Sequence, residues 1–186
     1  MILTSTDPRW GPMAARQIDR VLVDHAHCEK KAASQALALV SGYPERERLV
    51  RELSALAIEE LRHFRSVLVL LRRRGLGLGR DLGDPYARAL HGHARRGSAR
   101  LLDRLLIAGL IEARSSERLD LLGRALGTGD LAGFYARLAR AEAGHAELFR
   151  GLAATYAPDE VSSRLAELAQ AEADIVSALP LEPRIH

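Results

Sequence analysis

Four glutamates stand where apolar residues are due. Glu29 lies seven residues after Leu22 and seven before Ala36. Glu60 lies four after Leu56 and seven before Val67, Glu112 four after Ala108 and seven before Leu119, and Glu142 four after Leu138 and seven before Phe149. At helical periodicity each points with its apolar stripe. Two are followed three residues on by histidine, in Glu60-Leu61-Arg62-His63 and Glu142-Ala143-Gly144-His145. The i, i+3 spacing puts both side chains on one helix face, able to grip one ion. The pattern also repeats: Glu29 to Glu112 is 83 residues, while Glu60 to Glu142 and His63 to His145 are each 82. Random placement of 14 Glu and 7 His gives about half an expected Glu-x-x-His. Two copies in phase, each preceded by a lone inward Glu, form a far more specific signal. The bland alternative is solvated helix charge, or core ion pairs with arginine. Carboxylates converging in a core are prohibitively costly without cations, and two divalent ions would neutralise four of them. Oxygen-rich ligation with one nitrogen per ion suits iron or manganese better than zinc. Coordination positions left open would permit chemistry on O2.

Glycine and proline mark out the elements that must carry these residues. Long stretches free of both predict helices over about 13–41, 45–74, 98–124, 130–156 and 159–178. Ser98 is a candidate N-cap and Pro158 fits the start of the last helix. Residues 75–97 are broken by seven Gly or Pro and read as one long crossover. No segment alternates as a strand does. The expected fold is all-α: a four-helix bundle with one long crossover and additional short and C-terminal helices. The ligand order Glu, Glu-x-x-His, Glu, Glu-x-x-His is that of ferritin-like di-iron or di-manganese carboxylate bundles. At 186 residues and 47% hydrophobic content, one domain over 1–186 with a real core is expected.

Charge is unevenly placed. Arg62 to Arg104 holds 11 Arg and 3 Asp, a block of +8 in a chain of net +3. Such a block suits a large anion, nucleic acid first. Arg outnumbers Lys 25 to 2. Only three Phe, four Tyr and one Trp are present, so no aromatic platform for several bases is evident. Arg must then carry any RNA binding; Arg72, Arg73, Arg74, Arg80, Arg95 and Arg96 are the candidates, with the crossover as cradle. The single cysteine, Cys28, excludes an intrachain disulfide. The longest uncharged run, Ala32 to Pro44, has 13 residues, too few to span a bilayer, and Met1 to Arg20 shows no signal peptide pattern. A cytoplasmic protein without membrane partners is expected.

The words around the glutamates are more specific still. They are Asp24-His25-Ala26-His27-Cys28-Glu29-Lys30-Lys31-Ala32-Ala33, Glu59-Glu60-Leu61-Arg62-His63-Phe64, Ile111-Glu112-Ala113-Arg114-Ser115-Ser116-Glu117-Arg118 and Ala141-Glu142-Ala143-Gly144-His145. From about Asp7 to Tyr156 the chain resembles the tRNA 2-methylthio-N6-isopentenyladenosine hydroxylases, the MiaE family. The resemblance implies a ferritin-like di-iron monooxygenase. Its activity is hydroxylation of the isopentenyl group of the modified adenosine next to the anticodon, using O2 and two electrons from an external donor of the ferredoxin/reductase type. It implies a tRNA anticodon stem-loop as partner. It also implies two iron ions held by Glu29, Glu60, His63, Glu112, Glu142 and His145, with Glu60 and Glu112 as the candidates to bridge. The chain departs from the pattern at Gly144, where Arg is expected, and at Ser116, where cysteine is common.

Other polar residues carry weaker expectations. His25, one turn before Glu29, reads as a core histidine and Cys28 as buried packing. Asp24, His27, Lys30 and Lys31 read as solvated by default, with the two lysines able to reach phosphate. Glu59 reads as an exposed charge. His91 and His93 fall in the crossover and are not ligands. The alternative function is an iron-handling ferroxidase, or a rubrerythrin-type protein, although one cysteine excludes the usual Cys-x-x-Cys iron site of the latter.

Overall fold

The computed structural model describes residues 2–186. The described residues form seven α-helices and one 3-10 turn, without strands: α1 (Trp10–Arg16), α2 (Ile18–Gly42), α3 (Glu47–Arg73), α4 (Pro85–His91), the 3-10 turn Gly97–Ala99, α5 (Arg100–Leu126), α6 (Asp130–Tyr156) and α7 (Val161–Ala178). They divide into two compact units, residues 16–82 with 183–185, and residues 2–15 with 83–182 and 186.

The first unit is the α2–α3 hairpin. Val21, Leu22, Ala26, Ala33, Ala36 and Leu39 of α2 are buried, as are Leu49, Leu53, Leu56, Ala57, Val67 and Leu71 of α3. The two helices are in extensive contact. Helix α3 ends in a Schellman motif: Leu76 N–H donates to Leu71 O and Gly75 N–H to Arg72 O. Gly75 takes φ +72°, which a side chain would resist, and this stops the helix one turn after Leu71. The Gly-rich segment that follows has no regular structure through Leu82. Residues 183–185 return to α2, where the Asp24 carboxylate accepts from Arg184 Nε at 3.1 Å and from Ile185 N–H at 2.8 Å.

The second unit is built on the α5–α6 hairpin. The sequence predicts one helix from Met13 to Ser41, but the structure breaks it at Gln17 into α1 and α2. The physical reason is that α1 packs on α5. Trp10 and Ala14 are fully buried, and a Cβ on Gly11 would come within 3.2 Å of the Leu121 carbonyl oxygen. The crossover also contains a helix that its glycines conceal. Asp84 caps α4, accepting from Ala87 N–H at 2.9 Å, with Pro85 in the first turn. Ser98 lies in the 3-10 turn, and α5 begins at Arg100 without a side-chain cap. Helix α7 starts at Val161, two residues beyond the expected start.

Two buried ionic clusters tie this unit together. Arg114 of α5 grips Glu172 of α7 with two parallel bonds, Nε to Oε1 at 2.9 Å and Nη2 to Oε2 at 3.0 Å. Tyr86 Oη of α4 donates to the same carboxylate, and Arg114 also reaches Thr6 Oγ1 and the Thr4 carbonyl. In the other cluster Asp103 of α5 accepts from Arg95 and from Arg164 of α7. Burial raises the Asp103 carboxyl, but the two arginines outweigh it and hold it at about 2, against an ordinary 3.8. A depressed carboxyl stabilises the fold above its unfolded value and loses that contribution as pH falls through the folded value. Asp103→Asn is therefore expected to cost about 2 kcal/mol at neutral pH. Urea titrations from pH 7 down should show this gap closing between about pH 4 and pH 2. A gap constant across that range would refute the assignment.

Among the described residues, no helix is long and apolar enough to cross a membrane.

Candidate metal centre

Each hairpin brings together three of the six residues singled out by spacing. On α2 and α3, Glu29, Glu60 and His63 each offer a ligand atom within 4.8 Å of the others. On α5 and α6, Glu112, Glu142 and His145 do the same. The four carboxylates are 4%, 1%, 7% and 2% exposed in chain order, so all lie inside the apolar stripes that predict them.

The α2–α3 triad is held by its own helices. His63 Nδ1 stands 3.5 Å from Glu29 Oε2 and 3.8 Å from Glu60 Oε2. His25, one turn before Glu29, is buried with Nε2 2.5 Å from Glu29 Oε1. It is the core histidine the sequence suggests, and it fixes the carboxylate's orientation. Burial pushes the Glu29 carboxyl up, but the imidazoles of His25 and His63 and a hydrogen bond with Glu60 hold it well below the usual carboxylate range. Glu59 is about half exposed, with Oε1 3.8 Å from His63 Nε2 on the same helix. In the α5–α6 triad, His145 Nδ1 lies 3.1 Å from Glu142 Oε2. Each triad therefore offers two buried carboxylates and one imidazole, His145 buried and His63 14% exposed. That donor set fits a divalent transition metal: oxygen-rich, one nitrogen, no sulfur.

Several neighbours differ from expectation. Asp24 and His27 are not solvated: Asp24 receives Arg184 and Ile185, and His27 is buried. Lys30 and Lys31 are partly covered, facing Asp81. The period of α2 shows the direction of these side chains but not the loop that covers them. Cys28 is buried. His91 closes α4, and burial and the Arg104 charge push its imidazole below its usual value.

A further hydrogen-bonded constellation escapes the sequence reading. His186 Nε2 is 2.7 Å from Ser115 Oγ, its Nδ1 is 3.0 Å from Asp84 Oδ2, and Tyr86 stacks on its ring. The atom order mimics a nucleophilic triad. Ser115 is buried mid-helix, where backbone N–H groups are spent on the helix itself and build no oxyanion hole. The constellation clamps His186 in place.

The arginines divide sharply. Arg74 pairs with Asp19 at 2.5 Å, and Arg95 with Asp103 and Glu160. Arg72, Arg73, Arg80 and Arg96 are exposed. On the outer face of α3, Arg62, Arg65 and Arg72 line an open groove of about 520 Å³ with Ser66, Leu68 and Val69. Arg62 and Arg65 belong to the basic block but escape the sequence candidates, because only the structure shows which arginines point outward together.

Comparison with known proteins identifies the family and the fold. The model of the family described as tRNA-(MS[2]IO[6]A)-hydroxylase (MiaE) matches residues 1–186. A Pseudomonas putida protein named tRNA 2-(methylsulfanyl)-N(6)-isopentenyladenosine(37) hydroxylase is 36% identical over 97% of this chain and 89% of its own length. A Salmonella typhimurium protein of the same name is 26% identical over 100% of this chain and 83% of its own. A solved structure, Protein 43 with aldehyde deformylating oxygenase activity from Synechococcus, matches with a TM-score of 0.93 and 37% identity, covering 100% of this chain and 94% of that one. The all-α fold is accordingly ferritin-like. With the family model spanning every residue and both Glu-x-x-His words in place, the chain belongs to the tRNA-(MS[2]IO[6]A)-hydroxylase (MiaE) family.

Proposed function

We propose that this protein is an O2-dependent di-iron monooxygenase, a single domain over 1–186, that hydroxylates the isopentenyl side chain of 2-methylthio-N6-isopentenyladenosine in tRNA next to the anticodon. The observation that carries the reading is the pair of buried Glu/Glu-x-x-His triads in a chain of this family. Glu29, Glu60, His63, Glu112, Glu142 and His145 would hold two iron ions. Four anionic carboxylates against two divalent cations balance the buried charge, and neutral imidazoles leave it balanced. When bound, the iron pair supplies activation of O2, so that one oxygen atom enters the C–H bond and the other leaves as water. Two electrons come from an external donor of the ferredoxin/reductase type, and two protons from solvent.

The chain's own residues do the rest. His25 holds Glu29 through Nε2, the apolar stripes keep water from the triads, and the α3 groove of Arg62, Arg65 and Arg72 takes phosphates of the anticodon stem-loop. The target base must leave its stack to be reached, as for other enzymes acting on bases. The test is nucleoside analysis of tRNA incubated with iron-loaded protein, O2 and reductant, with iron counted per chain. Hydroxylated nucleoside at two irons per chain is expected. Saturation at one iron or none, or unchanged tRNA, would refute the reading. The 37% identity to a protein with aldehyde deformylating oxygenase activity favours one competitor, action on a small aldehyde. Aldehyde turnover beside unchanged tRNA would select it.

A further inference from the structure

We propose that Lys30 and Lys31 form a phosphate site, filled in this structure by the Asp81 carboxylate, which a backbone phosphodiester of the RNA substrate takes over. The proposal rests on the tRNA reading above. Several observations converge on it. The chain carries 25 arginines and only two lysines, and the two lysines are adjacent, directly after Glu29. Both face one carboxylate: Lys30 Nζ is 3.6 Å from Asp81 Oδ2, and Lys31 Nζ is 3.6 Å from Asp81 Oδ1. These distances are Coulombic contacts beyond hydrogen-bond range. Buried His27 sets one of the two ammonium groups in place, because its Nδ1 lies 3.1 Å from Lys30 Nζ. An ammonium can only donate, so Nδ1 is the acceptor in this contact. His27 Nε2 is buried without a hydrogen-bond partner. The same Nδ1 stands 3.8 Å from Asp81 Oδ2, so the ring positions Lys30 at the edge of the anion site.

The group that faces the lysines is built to leave. Asp81 sits in the segment after α3, which has no helix or strand through Leu82 and holds Gly75, Gly77 and Gly79. Its withdrawal breaks no ladder of backbone bonds. The side chains of Lys30, Lys31 and Asp81 are 40%, 29% and 30% exposed, so water screens the pairing and it contributes little. Leu82, next to Asp81, is 83% exposed, so this end of the segment is not anchored by apolar burial. A phosphodiester spreads one negative charge over two oxygens, as a carboxylate does, and can span the same two ammonium groups. Lys30 and Lys31 follow Glu29 on α2, so a phosphate held there brings the RNA backbone beside a proposed iron ligand.

The experiment is equilibrium binding of a synthetic anticodon stem-loop, carrying the modified adenosine, to the iron-loaded full chain. Asp81→Asn removes the internal competitor and should tighten binding about 3- to 10-fold. The double variant Lys30→Gln, Lys31→Gln should weaken it about 10-fold or more. It should also make the log affinity against log salt slope shallower by about one to two units. In that background Asp81→Asn should change nothing, because its effect passes through the lysines. Glu52→Gln, which makes the same charge change at a half-exposed carboxylate paired with Arg51 on α3, should have little effect. Replacing chloride by inorganic phosphate at equal ionic strength should also have little effect. Unchanged or weaker binding by Asp81→Asn, the same gain from Glu52→Gln, or a gain that survives loss of both lysines would overturn the proposal. Strong displacement by inorganic phosphate would assign the site to free phosphate instead. A wild-type protein that hydroxylates the stem-loop while Asp81→Asn changes nothing refutes only this inference. A wild-type protein that neither binds nor hydroxylates it refutes the tRNA reading itself.

Discussion

Alanine at Glu60 or at Glu142 is expected to abolish hydroxylation, lowering kcat by about a thousandfold or more. These are the two most deeply buried carboxylates of their triads, one on each hairpin, and each begins a Glu-x-x-His word. With two divalent ions held as proposed, removing either would take one negative charge from the four that balance them, and an oxygen donor that water could not replace without reorganising the site. Loss of function at an activated metal centre is of the size seen when any essential member of a catalytic unit is deleted, well beyond a binding effect. The fold should persist, since Glu29 keeps His25 as its partner and the other buried carboxylates can take up protons when no cation is bound. Circular dichroism and thermal unfolding would show retained helix, while iron analysis would show fewer than two ions per chain. Glu29→Ala should act in the same direction, with His25 freed from the carboxylate it orients. Near-normal hydroxylation by Glu60→Ala or Glu142→Ala would mean that the ligands are misassigned.

Much of this site is legible in the sequence because it violates a local rule. An inward glutamate on an apolar stripe is costly, so four of them in register call for a compensating partner, and a divalent cation is the one proposed. The long helices are legible for the same kind of reason, since their periodicity runs over many turns. What is hidden depends on contacts between residues distant in sequence. The break at Gln17 follows from Trp10, Gly11 and Ala14 finding α5, which no local pattern around residue 17 encodes. Helix α4 has an ordinary start signal in Asp84-Pro85, but the flanking glycines mask it. Asp24, His27, Lys30 and Lys31 show their helical direction plainly. Yet whether they meet water depends on Arg184, Ile185 and Asp81, which arrive from 50 or more residues away. The same limit governs the arginines. A block of +8 is visible in composition, but its members serve opposite purposes, Arg95 inside an ionic cluster and Arg72 on an open groove.

That division sharpens the expected response of RNA binding to substitution. Changing Arg62, Arg65 and Arg72 together to glutamine should raise KM for the stem-loop by about 10- to 100-fold with little change in kcat. Phosphate contacts are made alike in the ground and transition states, so their loss is a loss of uniform binding. If each arginine neutralises one phosphate, the log affinity against log salt slope should become shallower by roughly two to three units. Arg74 adds little to such a set, because Asp19 already pairs with its guanidinium. Arg95→Gln separates the two kinds of arginine. It takes hydrogen bonds from buried Asp103, so it should lower stability in urea while leaving the salt slope of the folded protein almost untouched. Iron content should be the same in both variants as in the wild type, since none of these side chains is a proposed ligand. Parallel salt titrations for the triple variant and the wild type, with equal KM, would show that the α3 groove is only a solvated face and that the RNA is held elsewhere.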